Sequence, residues 1–462
     1  MGATGVRWVA CVAAVAAALA SSSATAETLE SALAQAYRNN PTLNAQRAAL
    51  RAIDESVPQA LANYRPRVTW TFDSGYQHFE SISSSGGTFT KTNTNISPRG
   101  GNIGLVQTVY NGQRSGNLTR QAESSVLAGR ETLRNAEQTA LLDAATAYMN
   151  VLRDTAILDL QRRNVQVLQE QLKQARDRFN VGEVTRTDVA QAEARLAQAQ
   201  SQVLAAEANL KASQATYRRV IGSEPVNLRP GMPVDRLSPR SLEGSVDLGR
   251  VEHPTVTASQ YTVDAAQHAA KAAEGSLYPT ATVESSVQRR WDVQPGVSDQ
   301  MTGTVLGRVT VPIYQGGSEY SIIRQQKETL GQRRIELDVQ RDLVRATVVQ
   351  AWSQLEATKA QIIAAQAQVT ATEVALNGVR EEARVGQRTT LDVLNAQQEL
   401  VNARVSLVTA QRDRVVASFT LLSAVGRLSP QVLKLPTESY DPRVHYHQVR
   451  DKWIGVRTPD GR

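Results

Sequence analysis

The sequence predicts a mainly α-helical fold with a small β part, built as an internal duplication of long helical hairpins and short strands. Three observations predict it. Residues 180–200 (NVGEVTRTDVAQAEARLAQAQ) return as residues 384–404 (RVGQRTTLDVLNAQQELVNAR), with Val181, Gly182, Thr185, Asp188, Val189, Ala192, Leu196 and Ala199 identical at a constant offset of 204. The stretches from about Gly112 to Asn180 and from Gly316 to Arg384 carry no proline and little glycine, the two residues most costly inside a helix. Finally, apolar residues alternate with polar ones in four short segments: Val68, Trp70, Phe72 and Tyr76; Ile103, Leu105 and Val109; Ala281, Val283, Val287 and Trp291; Val305, Val309, Val311 and Ile313. Period two is the mark of a strand with two unlike faces.

At the amino terminus, Arg7 and the apolar run Trp8–Ala20, closing on Ala24-Thr25-Ala26, read as a secretory signal peptide over 1–26. The mature chain would begin at Glu27. The single cysteine, Cys11, lies inside the removed segment and no lipidation cysteine precedes the mature start, so an unlipidated, disulfide-free exported protein is expected. Beyond Ala26 no run approaches the ~18 apolar residues of a membrane-spanning helix. Mean hydropathy is −0.33 and aromatic residues make up 5% of the 462, the composition of a helical protein with much polar surface. The formal charge of +7 is mild, with bases interspersed among acids, which leaves no dense basic stripe for nucleic acid.

The repeat sets the domain boundaries: a first repeat at 27–222, a linker at 223–240, a second repeat at 241–429 and a tail at 430–462. Asn40-Pro41 matches His253-Pro254 at offset 213. The nine extra residues of the first copy fall between Pro66 and Tyr110, where SISSSGGTFTKTNTNISPRGG (81–101) reads as a long exposed loop. In each copy a helix of about 22 residues begins at Pro41 or Pro254, a residue suited to a first helical turn. Strands follow at about 67–80 and 101–110, and at about 280–293 and 301–313. Coiled-coil hairpins then occupy 112–222 and 316–426. About 68 helical residues at 1.5 Å each make a rod of about 100 Å. Leu158, Val165, Leu168, Leu172, Ala175 and Phe179 step by sevens, threes and fours along its seam. The returning helices stop at Gly222 and Gly426, and with the 22-residue helices stacked end to end they nearly match the rod.

Segments of this length and alternation fit transmembrane strands. Four strands cannot close a barrel, which starts at about eight, and an open sheet edge in lipid leaves N–H and C=O groups without partners. Several chains must therefore pool their strands.

These features together resemble the TolC family of outer-membrane efflux and secretion channels. RFNVG (Arg178–Gly182) with Thr187-Asp188, VPIYQGG (Val311–Gly317) and VGQRTTLDVLNAQ (Val385–Gln397) carry the resemblance, which covers approximately residues 28 to 430. It implies a homotrimer whose four strands per chain build a shared 12-stranded barrel, continuous with a coiled-coil tube that crosses the periplasm. It also implies residence in the Gram-negative outer membrane, contact with its lipid, a periplasmic adaptor protein, and an inner-membrane pump or ABC transporter. The function implied is the exit duct of a tripartite efflux pump or type I secretion system. The absent lipidation cysteine resembles the TolC and type I secretion branch. An exported coiled-coil spacer or adhesin would share the rods but need neither alternating strands nor acids at the turns.

The doubled turn has a local reading. Thr185-x-x-Asp188 and Thr389-x-x-Asp392 fit capping boxes, each after a glycine that stops the preceding helix. By resemblance the same turns form a gated periplasmic aperture. Arg388, Asp188 and Thr187 match positions that latch neighbouring coils, and Asp392 matches an aspartate ring that binds cations on the channel axis. Two departures stand out: the family's second aspartate is Asn395 here, and a latch tyrosine is Ala383. Val181, Gly182, Val385 and Gly386 match the tips that meet the adaptor. The sequence holds no GxxxxGK[ST], HExxH, GxSxG or paired CxxC, so no catalytic residue, cofactor or resident metal is assigned. His445-x-His447 lacks further ligand spacing and reads as surface.

Overall fold

The computed structural model describes residues 27–461; the expected signal peptide lies outside them. The first repeat contributes α1 (Leu29–Asn39), α2 (Pro41–Asp54), α3 (Ser56–Leu61), β1 (Arg67–Ser74), β2 (Gln77–Ser85), β3 (Thr88–Ile96), β4 (Arg99–Asn111), α4 (Arg114–Asn180) and α5 (Arg186–Ile221). The second contributes α6 (Leu242–Glu252), α7 (Pro254–Glu274), β5 (Thr280–Gln294), β6 (Val297–Thr310), α8 (Ser318–Arg384) and α9 (Thr390–Ala424), with α10 (Pro442–Val449) in the tail. The mainly helical fold with a small sheet is as the sequence predicts. Helices α4 and α8 each run 67 residues, about 100 Å at the α-helical rise. None of the described helices is long and apolar enough to cross a membrane.

The chain forms two compact units. One comprises 49–130, 258–339 and the described residues from 442 onward; the other comprises the described residues up to 48, 131–257 and 340–441. The first of these holds the sheet, antiparallel throughout in the order β1-β4-β5-β6. Val68, Trp70 and Phe72 lie opposite Leu105, Ile103 and Gly101, and Ile103 lies opposite Val287. One face therefore gathers most of the apolar residues, while Thr69, Thr71, Asp73, Asn102, Glu284 and Arg290 share the other with Val106 and Leu306. None of the described residues covers the apolar face: Trp70 is 74% and Val305 78% exposed. A two-faced sheet with its apolar side bare is what lipid requires and water penalises. β6 ends at Thr310, short of the expected 313, because Pro312 cannot donate to a ladder.

The segment expected as a loop is a hairpin. β2 and β3 pair from Gln77↔Ile96 to Ser85↔Thr88, in the same register as β1 and β4 below them. The two pairs are one ribbon, interrupted where Pro98 offers no N–H, although Gly75 N–H still donates to Pro98 O at 2.9 Å. Serine, threonine and glycine suggested coil, yet Thr88, Phe89, Thr90, Thr92, Thr94 and Ile96 are good strand formers. Gly86 and Gly87, with φ of 59° and 87°, turn the tip as a two-residue hairpin turn demands. Given the pairing Arg99↔Trp291, the first ribbon overshoots the β5–β6 turn by roughly eight residues per strand, about 26 Å.

The helix expected to run 22 residues from Pro41 breaks at Glu55, because Pro58 cannot bond back to the carbonyl of Asp54. Its counterpart, α7, lacks an internal proline and continues for 21 residues. The tail packs in the same unit. His445 Nδ1 meets Asp54 Oδ2 at 2.9 Å, Arg65 stacks on Trp453 with its guanidinium 4.6 Å from the ring centre, and Arg130 lies 5.0 Å from that of Tyr446. The surface reading of His445 is corrected: it is buried against the helix it clasps.

In the other unit, helix ends abut as the sequence predicts. Asn40 Nδ2 donates to Val220 O at 3.1 Å beside the left-handed cap Gly222. At the equivalent junction Gly426 approaches His253 so closely that a Cβ would meet the His253 Cα at 2.7 Å. Burial and the neighbouring Arg134 push His253 down to about 4, so its ring is neutral there. Tyr148 Oη donates to Arg229 O at 2.7 Å, fixing the linker; burial pushes its phenol up to about 12.

Candidate functional site

Both hairpin turns are built alike. Gly182 and Gly386 have φ of 82° and 79°, a left-handed conformation that glycine alone adopts without strain. Gly182 N–H donates to Phe179 O at 3.0 Å and Glu183 N–H to Arg178 O at 2.9 Å; Gly386 and Gln387 repeat the pattern on Ala383 and Glu382. These bonds satisfy the last carbonyls of α4 and α8. Three residues after each glycine, Thr185 and Thr389 cap α5 and α9. Thr185 N–H and Oγ1 donate to Asp188 Oδ2 at 2.9 and 2.7 Å; Thr389 does the same to Asp392 Oδ2 at 3.0 and 2.8 Å. In return, Asp188 and Asp392 donate their N–H groups to the threonine Oγ1 atoms at 3.3 and 3.2 Å. The capping reading holds at both turns.

The bonds set the charge. Thr185's hydroxyl and N–H lower the Asp188 carboxyl below its usual range, and Thr389's N–H and hydroxyl do so for Asp392. Both carboxylates are thus ionised at neutral pH. All four donated bonds converge on Oδ2, which leaves each Oδ1 open to a second partner. Within the chain Arg388 does not reach Asp188: its Nε donates to Glu382 Oε2 at 2.8 Å. That pair, with Asp392 nearby, holds the guanidinium firmly protonated.

Thr187, Val181, Gly182, Val385, Gly386 and Asn395 are all exposed. Below the tips, Leu168, Leu172, Ala175, Ala192 and Ala199 form the core of the first hairpin, with Leu394 of the second inserted among them. Phe179, expected on the seam, is exposed at its end, because α4 stops one residue later and no return helix covers it. An open cleft of about 380 Å³ lies beside Ala383, lined among others by Arg178, Gln174, Arg380, Glu381 and Arg384. Contacts missed by sequence reasoning are those of Asn395, whose Oδ1 accepts from Arg195 Nη2 at 2.8 Å, and of Gln397, bonded to Arg380 at 3.0 Å. Nothing in a single sequence pairs Arg195 with Asn395, 200 positions apart, or shows which residues of α8 and α9 face each other across the second turn. Among the described residues no three His, Cys, Asp or Glu side chains gather as a metal site.

A sheet whose apolar face and two edges lack partners, in a chain with paired long hairpins and charged, capped turns, defines a subunit of a membrane channel. The family described as outer membrane efflux protein matches residues 32–223 and 246–427, and the chain belongs to it. It is similar to the outer membrane efflux protein BepC of Brucella suis biovar 1, 43% identical over 95% of this chain and 93% of that protein. The outer membrane protein TolC of Escherichia coli is 24% identical over 88% of this chain and 84% of its own. Among solved structures, the fold matches the outer membrane protein VceC from Vibrio cholerae with TM-score 0.73, 17% identity, 86% of this chain and 96% of that one. The chain is an efflux channel protein of the outer membrane that extends into the periplasm.

Proposed function

We propose that three copies of the chain form one duct, gated at the hairpin turns, which receives substrate from an inner-membrane pump through a periplasmic adaptor. The observation that carries this is the sheet: one bare apolar face and two free edges, on β1 and β6. Two chains would supply eight strands, and a barrel of eight is filled by its own side chains. Three chains supply twelve and leave a passage. The exposed tips Val181, Gly182, Val385 and Gly386 are the surface offered to the adaptor.

At the gate, the open Oδ1 of Asp188 supports a latch from Arg388 of a neighbouring chain, with Thr187 beside it. Arg388 has donors to spare beyond the Nε committed to Glu382. The open Oδ1 of Asp392 supports a ring of three carboxylates that a cation would bridge. Mutual repulsion in such a ring raises at least one pKa, against the lowering by Thr389.

Light scattering in detergent tests assembly: a heat-sensitive trimer is expected, and a monomer that keeps its β signal would sink the shared barrel. Planar-bilayer recording tests the gate. Arg388→Ser should raise conductance, and unchanged conductance in an intact trimer would reduce Arg388 to a partner of Glu382.

A further inference from the structure

One turn beyond Asp392, helix α9 turns three consecutive contacts toward the first repeat. Leu394 is buried in the core of the first hairpin. Asn395 Oδ1 accepts from Arg195 Nη2 at 2.8 Å, joining α9 to α5. Gln397, 7% exposed, accepts from Arg380 at 3.0 Å on Oε1, and its Nε2 lies 3.5 Å from Oδ1 of Asn164, itself 3% exposed on α4. An apolar plug, a charge-assisted bond and a buried amide contact thus lie within four residues of one helix. Each ties the second repeat to the first, inside one chain.

We infer that Arg195–Asn395, backed by Leu394 and Gln397, is an intrachain stitch that positions the second turn against the first and resists opening of the aperture. The inference rests on the channel reading. An amide suits position 395 because its oxygen is directed at a guanidinium; the side chain is a partner of Arg195 and not a second acidic ring. The stitch differs from a latch between chains, since both partners travel with the same subunit. Opening then requires either that the two hairpins of a chain move as a pair or that this bond breaks.

Purified trimers in planar bilayers test it. Loss of one charge-assisted, exposed bond of about 1 kcal/mol corresponds to roughly a fivefold shift in a two-state equilibrium. Asn395→Ala and Arg195→Ala should each raise the open fraction about fivefold, with trimer yield and heat stability unchanged. The double variant should open no further than either single one, and Asn395→Asp, which keeps an acceptor for Arg195, should behave as wild type. Singles that match wild type, or effects that multiply in the double variant, would overturn the stitch. A second readout is independent of opening. With Arg195 present, Asn395→Asp should leave periplasmic-side block by a trivalent cation unchanged; stronger block would place the side chain on the axis and refute the pairing. Arginine's reach sets the two Cβ atoms too far apart for a disulfide, so Arg195→Cys with Asn395→Cys should instead be bridged by a short bismaleimide, which should hold the channel shut. Failure to cross-link also counts against the stitch. A wild type that never conducts overturns the channel reading instead, while the cross-link still reports whether the two positions meet.

Discussion

Gly222 and Gly426 occupy the same place in the two repeats, yet replacing each with alanine should have unequal consequences. Both residues are left-handed, with φ of 91° and 87°, so any side chain costs about 1–2 kcal/mol at either site. The surroundings differ. At Gly222 the nearest atom to an added Cβ is Asn39 Cβ at 3.6 Å, ordinary contact. At Gly426 the Cβ would sit 2.7 Å from His253 Cα and 3.1 Å from Glu252 O, both backbone. That backbone is not free to withdraw, because Arg427 holds Glu252 through bonds of 2.8 and 3.1 Å and Gln138 holds Gly426 O at 2.9 Å. Overpacking of this kind adds about 1–3 kcal/mol. Gly426→Ala should therefore cost about 2–5 kcal/mol per chain and Gly222→Ala about 1–2. Chemical unfolding followed by far-ultraviolet circular dichroism would rank them. Asparagine tolerates the left-handed region, so Gly222→Asn should recover part of the loss and Gly426→Asn should not. Equal losses, or the reverse order, would refute the reasoning.

Three further outcomes are expected. The caps should be acid-labile: Asp188 and Asp392 have lowered folded-state pKa values, so their stabilisation is full above the unfolded value of about 3.9 and is lost as pH falls through the folded one. Thr185→Ala and Thr389→Ala, each costing about 1 kcal/mol, should flatten that pH dependence of hydrogen exchange at the turns. Asp392→Ala and Asp392→Asn should both relieve trivalent-cation block from the periplasmic side; equal block in wild type and both variants would mean that capping alone explains the aspartate. His445→Ala leaves the carboxyl of Asp54, 1% exposed, without its His445 partner, at a cost of about 1–3 kcal/mol. Adding Asp54→Asn should recover much of it, and tail release read by limited proteolysis would show whether it does.

What was legible in the sequence is what repeats locally. The rods follow from uninterrupted helix formers, the turns from glycine followed by Thr-x-x-Asp, and the sheet faces from strict alternation at Val68, Trp70 and Phe72. Composition misled at 81–101, where serine and glycine mask a ribbon whose register is dictated from below by Ser74↔Arg99. Pro58 was in view, yet its effect on α2 depended on knowing that no other element would hold the helix through the break. The aperture was legible as caps and as charges. The partners of those charges were not: Arg388 turns to Glu382, six residues back, and Asn395 to Arg195 in the other repeat. Side-chain pairing across repeats depends on how hairpins dock, which periodicity does not encode.

The ribbon of β2 and β3 has one further consequence. Its register is fixed by the sheet beneath it, and its tip is a Gly86-Gly87 turn with nothing within 4 Å of an added Cβ at either glycine. A residue gained on one arm and matched on the other would lengthen it by one rung without disturbing a single pairing below. The chain thus carries a telescoping element, whose length can change while the sheet stays as it is. A peptide grafted symmetrically at Gly86-Gly87 would be displayed beyond the sheet at no cost to the strands that face lipid.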